Sequence, residues 1–138
     1  MQPLQDRYPW LVALQGGTIG GIAYAKPWNP RRAYDWTTEV TVYVRDGLQG
    51  QGIGSALYQR LLELLEAQGF RSMMAGITLP NDASVALHES FGFRQVGTLR
   101  RIGFKMGAWH DVGHWQRWVT ADPDAEPTPL RPLDEVEP

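Results

Sequence analysis

The sequence predicts an α/β fold: a mixed, mostly antiparallel sheet built around one strand–glycine loop–helix–strand crossover. Three observations predict it. Apart from Glu39, residues Thr37–Val44 are β-branched or aromatic and alternate strictly, the pattern of a strand. Leu57, Leu61, Leu64 and Leu65 stand at i, i+4, i+7 and i+8, one apolar helix face. Between the two lies Gln49-Gly50-Gln51-Gly52-Ile53-Gly54, and the short apolar stretch Ser72–Thr78 follows the helix. A crossover of this kind sets Ser72–Thr78 parallel to Thr37–Val44, while hairpins on either side add antiparallel pairs.

In chain order, Met1–Pro9 is short and polar, either the last turn of a helix or a frayed end. Trp10–Leu14, the turn Gln15-Gly16-Gly17 and Thr18–Lys26 form a hairpin. Pro27–Trp36 is a loop holding two prolines, two arginines and three aromatic residues. Two readings stand for it. It is a surface loop whose rings cap the core, or a substrate loop with a guanidinium for a carboxylate. In Thr37–Val44, Glu39, Thr41 and Tyr43 point one way and Val40, Val42 and Val44 the other. Glutamate is depleted in strands and rarely fully buried. Glu39 therefore reads as an edge or solvent-facing residue, or as a catalytic base.

The helix runs from about Gly52 to Gln68, with Gly69 where a C′ glycine belongs. Pro80-Asn81-Asp82 stops the next strand, and Asn81 or Asp82 caps a helix ending near Phe91, with Gly92 after it. Phe93–Ile102 and Ala108–Val119 alternate and are joined around Lys105-Met106-Gly107 as a second hairpin. The tail Thr120–Pro138 has five prolines in nineteen residues and many acids. It is expected to be disordered or draped on the surface.

The chain has 138 residues, 43% hydrophobic and 20% charged, which suits one domain with one core over residues 1–119. Residues 120–138 hold six of the fifteen acids and one of the thirteen basic residues. The remainder carries 12 basic against 9 acidic residues, a surplus of three. That suits an anionic ligand but is too weak to argue for nucleic acid. With no cysteine, disulfides, thiolate metal sites and a cysteine nucleophile are excluded. No apolar run approaches roughly 18 residues and Met1–Trp10 is not a signal peptide, so a cytoplasmic protein with no membrane partner is expected. His110 and His114, four apart, would share one face of a helix and could bind zinc, but their segment reads as a strand and no third ligand is obvious. No metal is expected.

The glycine loop is where the chemistry concentrates. Strand, glycine loop and helix are the usual way to aim backbone N–H groups and a helix N-terminus at a phosphate, and the plain alternative is a flexible turn. No Lys-Ser/Thr follows Gly54, so this is not a Walker loop, and Ser55 stands where a dinucleotide fingerprint needs glycine.

Gln49-x-x-Gly52-x-Gly54 between a strand and a helix resembles the acetyl-CoA pyrophosphate loop of the GNAT superfamily of N-acetyltransferases. Asn81–Phe93 is similar to that superfamily's second signature. The resemblance is closer to one branch, the phosphinothricin and methionine sulfone/sulfoximine acetyltransferases. It is carried by Pro27-Trp28-x-Pro30-Arg31-x-Ala33-Tyr34-x-Trp36-Thr37-x-Glu39, Leu87-His88-Glu89, Gly97-Thr98-Leu99-Arg100 and Gly107-x-Trp109-x-Asp111-Val112. It covers about Tyr8 to Val119. Such domains begin with a strand and two helices, and this chain starts near the end of the second helix. The resemblance therefore implies an N-terminally shortened GNAT-like domain.

The resemblance also implies a reaction: transfer of an acetyl group from acetyl-CoA to the amine of a small amino-acid-like substrate, without a metal. Glu39 is the implied base, its pKa raised if the sheet strips its carboxylate of water. His88, in a slot where many relatives carry tyrosine, is the implied proton carrier; without the resemblance it reads as a histidine on the flank of an amphipathic helix. Val42, Tyr43 and Val44 would hold the thioester end of the cofactor. Gln49, Gly50, Gln51, Gly52, Ile53, Gly54 and Ser55 would hold the pyrophosphate, and Asn81 the pantetheine side. Asn29, Arg31, Tyr34, Thr41 and Val112 are the implied substrate positions, Asn29 departing from relatives with lysine there. Two alternatives remain: a catalytically inactive acyl-CoA-binding module, and a protein or peptide N-acetyltransferase. Apolar residues on both faces of Trp10–Leu14 lead us to expect a homodimer or higher oligomer.

Overall fold

The alternation in Thr37–Val44 becomes a strand at those bounds, with Val40 buried on one face and Tyr43 exposed on the other. In the computed structural model, which describes residues 7–119 and 122–137, this strand is central to a six-stranded sheet. The strands are β1 (Trp10–Gln15), β2 (Thr18–Pro27), β3 (Thr37–Val44), β4 (Ser72–Thr78), β5 (Arg94–Lys105) and β6 (Ala108–Trp118). Their order is β1-β2-β3-β4-β6-β5. The β3–β4 pair is parallel and the other four pairs are antiparallel. The helices are α1 (Ile53–Gln68), α2 (Asp82–Ser90) and the short α3 (Leu133–Val136).

The leucine periodicity decides what α1 buries. Leu57, Leu61 and Leu65 join Tyr58 and Leu62 against Ala23, Ala25, Val40, Met73 and Ala75 of the sheet. Fully burying one such side chain stabilises by about 1.5–3 kcal/mol. The small residues of β2 let the helix come close. A Cβ at Gly21 would lie 2.9 Å from Ile53 Cγ2. The opposite sheet face is open around Trp10, Val12, Leu14 and Tyr43, each more than half exposed. No helix among the described residues is long and apolar enough to cross a membrane.

One expectation changes and one is narrowed. β5 continues to Lys105 rather than stopping at Ile102, because a bulge interrupts its alternation without ending its pairing. Residues 122–137 of the tail are draped on the body rather than disordered. The Trp36 indole donates to the Thr128 carbonyl at 2.7 Å, and the Arg71 guanidinium donates to the carbonyls of Asp122 and Ala125. Gln68, fully buried, donates to the carbonyls of Arg7 and Arg131, while Leu130 packs against the core. Proline removes a donor but keeps its carbonyl, and the tail is held largely through its carbonyls. Met1–Asp6, Thr120, Ala121 and Pro138 lie outside the described residues.

Candidate active site

The site begins where a ladder stops. β3 and β4 pair only at Thr37–Ser72, Thr38–Met73 and Glu39–Met74, although both strands continue. Beyond Glu39 they part and leave a wedge. The backbone alternation shows which groups face it. Arg45 N–H donates to Gly20 on the β2 side, whereas the Trp36 carbonyl accepts from Arg71 and Ser72 on the β4 side. Even-numbered residues of β3 therefore aim their N–H and C=O groups toward β4, so those of Val42 and Val44 point into the wedge.

The wedge opens into a cleft of about 600 Å³. All the expected cofactor positions except Gln51 line it: Val42, Tyr43 and Val44 from β3, Gln49, Gly50 and Gly52 from the loop, Ile53, Gly54 and Ser55 from α1, and Asn81 before α2. Gln51 turns instead toward a separate recess with Leu11 and Arg60. Gly50 and Gly52 have φ of +81° and +82°, a region that disfavours side chains, and a Cβ on either would meet nothing within 4 Å. Gly52 is the N-cap of α1, no side chain caps this end, and the first turn holds no acid. The first intrahelical bond is Ala56 N–H to Gly52 O, so the N–H groups of Ile53, Gly54 and Ser55 lack helical acceptors. These donors and the helix dipole suit an anion.

Glu39 occupies the last rung before the strands part. Its side chain is 35% exposed and its carboxylate lies 3.8 Å from Lys26 Nζ. The premise that the sheet strips it of water is therefore corrected: the face opposite α1 is open. Glu39 is not among the residues lining the cleft itself.

His88 is the reverse case. It is 4% exposed, not on a helix flank. Its Nδ1 is 2.7 Å from the Ser84 carbonyl, which can only accept, so Nδ1 carries the proton. Nε2 then accepts from the Tyr58 hydroxyl at 2.7 Å. Burial lowers the imidazole's pKa below its ordinary value, opposed by the weaker effect of the Ser84 carbonyl. Burial also raises the Tyr58 phenol far above its own, so Tyr58 stays protonated. Both ring nitrogens are engaged by protein, and the pair joins α1 to α2 at the cleft wall. His88 thus presents no free nitrogen for the expected proton-carrying role.

The substrate positions are scattered. Thr41 lines the cleft; Asn29, Arg31, Tyr34 and Val112 do not. Asn29 Oδ1 accepts from Arg31 N–H at 2.9 Å, a local turn bond. Tyr34 packs edge-on against Trp28 at 5.3 Å, and Val112 pairs with Thr78 and Leu99 in the sheet. Asn81 caps α2 through its side-chain oxygen, which accepts from Ser84 N–H at 3.1 Å. Sequence reasoning missed Lys105, Gly76 and Ser84 in the lining. The glycine and the serine follow once β4 and α2 are known to wall the wedge, but Lys105 carried no local signal. Among the described residues, no three or more His, Cys, Asp or Glu side chains cluster as metal ligands.

Comparisons with known proteins agree with this architecture. Residues 2–93 match the family model of the acetyltransferase (GNAT) family. A phosphinothricin N-acetyltransferase of Streptomyces viridochromogenes is 55% identical over 136 residues, covering 99% of this chain and 73% of that protein. An L-methionine sulfoximine/L-methionine sulfone acetyltransferase of Pseudomonas aeruginosa is 40% identical over 110 residues, covering 79% and 64% respectively. The crystal structure of a phosphinothricin acetyltransferase from Sinorhizobium meliloti in complex with AcCoA superposes with a TM-score of 0.83 at 38% identity, covering 88% of this chain and 66% of that one. A parted parallel pair, an uncapped glycine-led helix and these matches lead to one assignment: the chain belongs to the GNAT family of acetyltransferases.

Proposed function

We propose that this chain transfers the acetyl group of acetyl-CoA to the amine of a small amino-acid-like substrate of the phosphinothricin, methionine sulfone or methionine sulfoximine kind. The observation that carries the reading is the wedge between β3 and β4, which ends at the uncapped N–H groups of Ile53–Ser55. The donor set fits a pyrophosphate: the loop glycines leave space above those N–H groups, and the lining contains no Asp or Glu. The inward N–H groups of Val42 and Val44 suit the amide and acyl carbonyls of an extended pantetheine arm. When bound, acetyl-CoA supplies a thioester carbonyl and a thiolate leaving group.

Glu39 is proposed as the base. It stands where the strands part, on the open face, so an amine approaching from that face meets it near the wedge's closed end. Water reaches it, and a water can carry the ammonium proton to the carboxylate. Attack forms the C–N bond and breaks the C–S bond; the nitrogen releases its second proton to water, and the thiolate takes one up from solvent. Arg31 and Tyr34 are proposed to hold the substrate's acidic end from the loop beside β3. A thiol-release assay with acetyl-CoA tests the reading against methionine sulfone, methionine sulfoximine, phosphinothricin and a peptide pool. Release with the small acids supports it. Release only with peptides overturns the substrate class, and no release with any amine overturns the activity.

We also propose that a second copy covers the open face of β1–β3, where Trp10 stacks on Tyr24 with ring centroids 4.2 Å apart beside Val12 and Tyr43. Light scattering on the purified chain tests this, and a stable monomer across concentration overturns it.

A further inference from the structure

The β5–β6 hairpin carries a feature that the proposed reaction leaves unused. Leu99 pairs with Val112 and Gly103 with His110, so Arg100, Arg101 and Ile102 stand opposite Asp111 alone. This bulge is pinned. Arg101, at φ +49°, donates its N–H to Asp111 Oδ1 at 2.8 Å. Bulges bend a strand and re-aim the side chains beyond the bend. Past this one, the hairpin closes through Met106 and Gly107, both at positive φ, and His110 Nε2–H donates to the Lys105 carbonyl at 3.2 Å. Lys105, on the far side of the bulge, joins the cleft wall. It is the only Lys or Arg in that lining, the lining has no carboxylate, and Lys105 forms no ion pair among the described residues.

We propose that Lys105 binds an anionic oxygen group of the molecules that fill the cleft, and that Asp111, by holding the bulge, positions it there. The proposal rests on reading the cleft as an acyl-CoA site. An uncompensated ammonium in the wall of a cleft lined otherwise by uncharged groups and open amides favours an anion over a neutral ligand. Two sources offer that oxyanion: a phosphate of the coenzyme, or the carboxylate of the amino-acid substrate.

The test is calorimetry of coenzyme A and of pantetheine, which lacks the phosphates, with the wild-type chain and with Lys105→Ala, Lys105→Arg, Asp111→Ala and Asp111→Asn. KM for methionine sulfone and for its carboxamide is measured alongside. A phosphate contact raises the coenzyme A Kd of Lys105→Ala about tenfold, the scale of one charge-assisted bond, and leaves pantetheine unchanged. A carboxylate contact leaves the coenzyme Kd alone and raises KM for methionine sulfone but not for its carboxamide. In either case Lys105→Arg retains most of the affinity. Asp111→Ala moves the same quantity in the same direction, while Asp111→Asn, which still offers an acceptor oxygen, restores it. Wild-type chain that binds coenzyme A, with Lys105→Ala unchanged in both quantities, overturns this proposal alone. Wild-type chain that fails to bind it overturns the cofactor reading and this proposal together.

Discussion

Acidification should weaken this fold through His88. The folded ring is buried and neutral, with Nδ1–H given to Ser84 and Nε2 taken by the Tyr58 hydroxyl. A second proton on Nε2 would force that hydroxyl to turn and accept, leaving its own O–H without an acceptor in the core. Burial accordingly lowers the folded pKa, while in the unfolded chain the ring titrates near its ordinary value of about 6.5. Below that pH the unfolded state binds more protons than the folded one, so stability falls as pH falls. The contribution is fully present above about pH 6.5. It is lost at up to about 1.4 kcal/mol per pH unit until the folded ring itself titrates. At pH 5.5 the loss is at most about 1.4 kcal/mol, or about 5 °C in Tm for a domain of this size. Urea unfolding at pH 7.5 and 5.5 measures it, comparing wild-type chain with the double variant Tyr58→Phe, His88→Phe. The double variant removes both polar partners at once and leaves neither unsatisfied. Carboxylates contribute equally to both proteins, so the difference isolates His88. Equal losses in the two proteins would refute the reasoning.

Three further outcomes are expected. Gly52→Trp should abolish coenzyme A binding by calorimetry while the thermal transition stays cooperative, because the loop lies outside the core and the substitution fills the space above the α1 N–H groups. A folded variant with unchanged affinity would remove the pyrophosphate site from this loop. Glu39→Gln should lower kcat by about two to four orders of magnitude with coenzyme affinity kept, and near-normal turnover would place the base elsewhere. Arg31→Lys keeps the charge but loses the planar fork; KM for the amino acid should rise at constant coenzyme affinity, and an unchanged KM would make the loop structural.

What the sequence revealed depended on whether the cause was local. β3 and β4 are legible at their bounds because alternation and apolar length are properties of the stretch itself. Gly50 and Gly52 are legible because positive φ leaves a residue signature. The wedge is not legible: the point where two strands cease to pair depends on what lies between them. Lys105 was hidden for a related reason. A bulge adds residues without ending the pairing, so Arg100–Ile102 broke the alternation and made β5 look finished at Ile102. His88 misled in the opposite sense. Polar residues on a short helix suggest a wet flank, and only the neighbouring Tyr58 hydroxyl, thirty positions away, explains how an imidazole can be buried there.

Sequence reasoning assigned Glu39 a desolvated setting and His88 an accessible one, and the structure exchanges them. A carboxylate that is a third exposed and close to Lys26 cannot owe any basic role to being stripped of water. Such a role would follow from position, at the rung where β3 and β4 part. A buried imidazole with both nitrogens occupied cannot exchange protons with a ligand unless a bond to Tyr58 or Ser84 breaks. Its placement instead ties α2, which carries Ser84 and is capped by Asn81, to α1, which carries the open N–H groups. The width of the cleft between those helices then depends on a bond that a single proton weakens. Ligand affinity should therefore fall in a more acidic window than the one over which stability is lost, at the lowered pKa where the folded ring itself takes the proton. Calorimetry of coenzyme A across that window, in wild-type chain and in the Tyr58→Phe, His88→Phe variant, would reveal the coupling as a pH dependence that the wild type has and the variant lacks. Matching pH profiles would separate the cleft from the His88 bond.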